Sequence, residues 1–193
     1  PSLKVTIPRT IIFQNRAAAT VQFLSANGSA GAQYICPFES IYFRTVRYEQ
    51  DWVSDVTTPV FSSYNTGSLP SGGAARTLSV AGAYAECGIE MQNSGVWNKV
   101  SVSESGSNLK WSDSELHAAM LRHFSMWSDT PQWIVWLLVA QNHEDSGLAG
   151  IMFDVQGKHR QGCAVFHRHI GGTSADKLRY QLFCYVHELG HCF

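Results

Sequence analysis

The sequence predicts an α+β protein: a layered α/β body with a mixed, twisted sheet, preceded by a β-rich segment at the N-terminus. Three observations predict it. Runs of β-branched and aromatic residues crowd the first third of the chain. From Ala75 onward, helical spacing of apolar residues alternates with short apolar runs. The final stretch, from Thr173, reads as a capped amphipathic helix. The organisation expected is residues 1–40 as the β-rich segment and 41–193 as the sheet-and-helix body.

The first strands are expected at Lys4–Ile7, Thr10–Phe13, Thr20–Leu24 and Ile41–Tyr48, with Asn27-Gly28 and Gly31 as turns. Ser62–Gly73 is a Ser/Gly/Pro loop. Ala75–Cys87 carries Leu78, Ala81 and Ala85 at helical spacing, and Gly88 stands where a helix stop belongs. A short strand at Ile89–Gln92 and another at Val100–Val102 interrupt a polar stretch that runs to Ser112. Ser112 and Glu115 form a capping box for a helix with the apolar stripe Leu116, Ala119, Met120, Phe124 and Trp127.

Trp133–Ala140 is apolar on both faces and reads as a central strand. Leu148–Phe153 and Cys163–Phe166 follow, joined by the polar stretch Asp154–Gln161. His167 and His169 alternate on an expected strand after Cys163–Phe166 and so face the same side. Thr173 with Asp176 is a second capping signature. The helix it opens has the stripe Leu178, Leu182, Val186, Leu189 and Phe193.

Bulk properties bound the function. The chain has 193 residues, 45% apolar and 15% charged, which fits a packed domain with at most a small extra lobe. Net charge is −1 without a basic stripe, so neither a nucleic acid nor an anionic membrane surface is an expected partner. The longest apolar run, Trp133–Ala140, is far too short for a membrane span. The five cysteines include no CxxC and are expected to be mostly free, buried thiols. The sequon Asn27-Gly28-Ser29 points towards a secreted or extracellular location.

The chemistry is carried by His187-Glu188-Leu189-Gly190-His191. Histidines four apart on a helix lie one above the other, so both imidazoles can bind one tetrahedral zinc at about 2.0–2.1 Å. Glu188 sits about 100° round the helix, beside the ligands without being one. It can act as general base on a water whose pKa the zinc lowers towards about 7. The expected site is therefore His187 and His191 on Zn2+, with Glu188 catalytic.

From Ala75 onward the chain resembles the metzincin clan of zinc peptidases. The resemblance rests on His187-Glu188-Leu189-Gly190-His191, on a helix leading into Ala85-Glu86-Cys87-Gly88-Ile89, and on Leu148-Ala149-Gly150-Ile151 before a strand and the zinc helix. It implies the N-terminal catalytic subdomain of a zinc endopeptidase acting on peptide or protein substrates, with Leu148–Phe153 as the edge strand that pairs with them. The clan pattern continues with a Gly, a third His and a Met-containing turn, all of which fall beyond Phe193. His167 and His169 are the candidates for a third ligand within the chain. A gluzincin-type site, with a distant Glu as third ligand, is the alternative. Gly190 weighs against it, because Gly costs about 1 kcal/mol in a helix interior and so implies close packing or ligand clearance there.

The remaining candidates read as structural. His143-Glu144 lies in a polar turn without a second His. His117 and His123 sit on different faces of one helix. Cys184 is a remote candidate nucleophile, and Trp127, Trp133 and Trp136 are expected in the core. Two further functions are open: a binding or structural β-rich module carrying a silent zinc helix, and a metal-dependent hydrolase of a non-peptide amide. Metal content separates the module from the peptidase, and a peptide-library digest separates the two hydrolases.

Overall fold

A computed structural model describes residues 1–8, 17–68, 74–130, 133–154 and 160–192. Among them the protein is α+β, with three sheets and four α-helices. The chain divides into two compact units, Pro1–Ile41 and Tyr42–Phe193. No helix among the described residues is long and apolar enough to cross a membrane.

The first unit is an antiparallel meander of β1 (Ser2–Thr6), β2 (Ala19–Leu24) and β3 (Ala30–Cys36). Its register pairs Leu3 with Phe23, Val5 with Val21 and Val21 with Tyr34, so strand alternation puts these apolar side chains on one face. The β2–β3 turn holds Gly28 at φ 83°, a conformation open to glycine at no steric cost. The strand expected at Thr10–Phe13 lies outside the described residues.

The second unit is built on a six-stranded mixed sheet. Its members are β4 (Arg44–Val53), β7 (Ile89–Asn93), β8 (Lys99–Val100), β9 (Ile134–Ala140), β10 (Gly150–Met152) and β11 (Gly162–Phe166). A separate two-stranded ladder joins β5 (Tyr64–Asn65) to β6 (Thr77–Leu78). The main order is β10-β11-β9-β4-β7, with β8 also on β4. β9 pairs in parallel with both β4 and β11, while β10 runs antiparallel to β11 and ends the sheet. Every residue of β9 is buried, as its unbroken apolar run requires.

Alternation along β9 feeds two cores. Val135, Leu137 and Val139 face the layer of α1 (Val80–Glu86) and α4 (Ala175–Gly190). Ile134, Trp136, Leu138 and Ala140 face α2 (Asp113–His123). Two fully buried carboxylates, Glu49 and Asp51, sit on the α2 side of β4. Trp136 Nε1 donates to Asp51 at 2.8 Å, and the Ser125 amide donates to Glu49 at 3.1 Å. Desolvation raises both pKa values, and these hydrogen bonds pull them back.

Several local expectations are corrected. The strand expected from Ile41 begins at Arg44 and runs on to Val53. The helix expected from Ala75 begins at Val80, because Thr77 and Leu78 are drawn into pairing with β5 and Ser79 takes the N-cap. At Val100–Val102 the strand stops at Val100, and Val102–Ser105 form a 3-10 turn capped by Ser101. The last helix is capped by Ser174, not Thr173. His167–Ile170 is a helical turn, α3, not strand. Phe166 pairs with Ala140, the final residue of β9, so beyond it the chain has no ladder left to join.

Trp136 is buried, but Trp127 and Trp133 are 38% and 46% exposed. Trp133 lies at the mouth of β9 with the Arg44 guanidinium 4.1 Å from its ring centre, a cation–π contact that suits an exposed indole. All five cysteines are free, and Cys36 and Cys87 are exposed rather than buried. The capping box of Ser112 and Glu115 is present in full.

Candidate metal centre

The site is set by how α4 is held. Its inner face, Gln181, Leu182, Cys184, Tyr185, Glu188 and Leu189, is buried. Tyr84 of α1 donates its hydroxyl to the Val186 carbonyl at 2.7 Å, and Gln181 Nε2 donates to the Gly172 carbonyl at 2.7 Å. Leu178 and Val186 pack partly buried against the same core. Phe193, expected to end the stripe, lies outside the described residues. The helix is thus held by its buried face and by hydrogen bonds at Gln181 and Val186.

His187 and His191 occupy the outer face and are exposed. Their rings stand at 88° with centroids 4.6 Å apart, and the two Nε2 atoms are 3.1 Å apart. Two nitrogens on one tetrahedral zinc, each at about 2.05 Å, would be separated by roughly 3.3 Å. The Nε2–Nε2 separation is therefore close to that of two ligands sharing one metal. The His187 ring stacks on Phe183 at 5.5 Å, which limits its rotation.

Glu188 points inward. It is 8% exposed and lies against β10 at Gly150, where an added Cβ would stand 2.6 Å from Glu188 Cγ. Burial raises its pKa, and the neighbouring His187 partly opposes the shift. Its carboxylate accepts no hydrogen bond among the described residues, so it is free to take a proton. Gly190, read from the sequence as a sign of close packing or clearance, faces Tyr84: a Cβ there would lie 3.4 Å from the phenol oxygen, an ordinary contact.

A third ligand is not joined to this pair. Among the described residues no group of three His, Cys, Asp or Glu side chains is placed to hold a metal. His167 is 3% exposed and committed elsewhere: Nδ1 meets Thr58 Oγ1 at 2.7 Å and Nε2 meets the Tyr185 hydroxyl at 3.2 Å. His167 and His169 share one short helical turn, so the strand geometry expected of them does not occur.

Among the described residues, three more histidines have carboxylate partners. His143 contacts Asp113 at 3.1 Å, His123 contacts Glu104 at 2.9 Å, and His117 lies 3.5 Å from Asp154. Burial pushes the Cys184 thiol up to about 11, which removes the thiolate a nucleophile needs. Gly150 and Tyr84 are the site residues that sequence reasoning did not single out. Both act through contacts between elements far apart in the chain, for which no local signal exists.

His167 makes a pH dependence. Burial pushes its pKa from 6.5 down to about 4. The folded state thus holds the neutral ring, and the unfolded chain takes up the proton first. Stability is full above pH 6.5 and falls as pH drops towards 4, by up to about 3 kcal/mol. Urea unfolding at pH 7.5 and 4.5 should show this loss, and His167→Gln should show a smaller one. An equal loss in both proteins would remove His167 as its source.

Comparison of the chain with protein-family models, with curated proteins and with solved structures returns no match.

Proposed function

We propose that this protein is a zinc-dependent endopeptidase of the metzincin type, with His187 and His191 as two metal ligands and Glu188 as general base. The observation that carries the reading is the approach of the two imidazole Nε2 atoms to 3.1 Å on the outer face of α4; Glu188, next to His187 in sequence, turns its side chain to the inner face. The sheet adds support, since β10 ends it beside α4 and offers an unpaired backbone edge to an extended peptide.

Zinc at this position supplies a Lewis acid that acidifies water and polarises the scissile carbonyl. The chain's own groups do the rest. His187 and His191 would hold the metal from the outer face of α4. Glu188 takes a proton from the attacking water, and as the C–N bond breaks it passes that proton to the leaving amine. Gly150 leaves the space in which the Glu188 side chain lies.

Two imidazoles are half of a tetrahedral shell, and catalytic zinc normally takes three protein ligands plus water. Calorimetric titration of residues 1–193 is therefore expected to show weak zinc binding, and a casein digest no cleavage. A protein in which this chain is extended by a segment that supplies a third His ligand should bind one zinc tightly and cleave. Failure of that longer protein to bind zinc would sink the reading. Tight binding with cleavage by residues 1–193 would move the protein to another zinc-peptidase class.

A further inference from the structure

Beside the histidine pair, on the α1 side of α4, lies a groove of about 600 Å³, within the size range of ligand sites. Leu78, Leu182, Val186 and Phe183 give it an apolar lining, and Arg179 and His187 line it too. Phe183 is 60% exposed, a large aromatic surface left open to solvent.

The charges of the groove are unequal. Arg76 also lines it, but both of its terminal nitrogens are taken by the Glu86 carboxylate. Arg179 has no hydrogen bond or ion pair among the described residues and is exposed. An apolar trough with one unengaged guanidinium selects a partner that is apolar along its length and anionic at one point. A guanidinium binds carboxylate through two parallel hydrogen bonds, which adds direction to charge.

We infer that this groove is a binding subsite for an acidic, apolar peptide segment, with Arg179 as the anchor for its carboxylate. The position of that carboxylate relative to the cut rests on the peptidase reading above. From Arg179 to His187 the helix advances eight residues, about 12 Å at 1.5 Å per residue. An extended peptide covers about 3.3 Å per residue, so its acidic residue falls three to four positions from the scissile bond. The residues between lie over Phe183 and Val186 and are apolar.

The test uses two fluorescein-labelled decapeptides with the same leucine-rich core, one carrying Glu and the other Lys four positions from its centre. Binding to the full chain is read by anisotropy with metal chelated, so that nothing is cut. The Glu peptide should bind about tenfold tighter. Arg179→Glu should abolish or invert that preference, and Phe183→Ser should weaken both peptides. Lys110→Glu, an exposed change outside the groove, should leave the preference in place. Circular dichroism confirms that each variant is folded. Equal binding of the two peptides, or a preference that survives Arg179→Glu, overturns the subsite. Cleavage of the same peptides with zinc present reports on the peptidase separately. Read in a protein in which an added segment supplies a third His ligand, discrimination without cleavage keeps the groove and removes the peptidase, and cleavage without discrimination does the reverse.

Discussion

Glu188→Gln, in a protein extended by a segment that supplies a third His ligand, should keep its zinc and lose peptidase turnover by about 10²- to 10⁴-fold, the range spanned by general acid–base catalysis. Glutamine has nearly the same shape and fits the same space against Gly150, so the helix and its histidines should not move. What it cannot do is accept a proton. The measurement pairs metal content by atomic absorption with initial rates on a quenched fluorescent peptide. Zinc lost together with activity would show that residue 188 holds the metal or the fold rather than the proton. Activity kept would take Glu188 out of the chemistry altogether.

In the same extended protein, Gly150→Ala should reduce turnover by about 10²-fold with zinc and folding intact. A Cβ at that position would stand 2.6 Å from Glu188 Cγ, 2.7 Å from Oε1 and 2.9 Å from Cδ, all closer than real contacts allow. Those three atoms belong to one flexible side chain, so the strain is relieved by swinging the carboxylate aside. Stability should change by less than about 1 kcal/mol. Gly147→Ala, in the neighbouring turn, is the control, because its Cβ would meet only Asp145 Oδ1 at 3.4 Å. Wild-type rates in Gly150→Ala would mean that the carboxylate does not work from the position it holds against β10.

What could be read from the sequence follows the range of the interactions involved. The capping box of α2 is closed by hydrogen bonds between Ser112 and Glu115, three residues apart, and the sequence displays it directly. The burial of β9 is carried by seven consecutive apolar residues. The placement of His187 and His191 on one helix face needs only the helical repeat. The rest depended on partners. α3 exists because β9 ends at Ala140, a fact about another strand. Thr77 and Leu78 left their helix for β5, twelve or more residues upstream. Trp127 and Trp133 have the residue type of a core and the location of a rim. The Gly150–Glu188 contact, the Tyr84 hydrogen bond to α4 and the groove at Arg179 all join segments far apart in the chain.

The burial of Glu188 carries a consequence for how this chain can vary. An ionisable carboxylate shielded from water, with no hydrogen bond to steady it among the described residues, weakens the folded state. The two histidines stand in solvent and add little to stability either way. On the proposed peptidase reading, activity and robustness are therefore opposed at residue 188 and independent at residues 187 and 191. The Glu188→Gln protein should melt no lower than the native one, since it sheds a charge the fold must otherwise shelter. Selection for stability alone would discard the glutamate first and leave the histidines to drift, so a lineage that keeps all three holds them for what they do together.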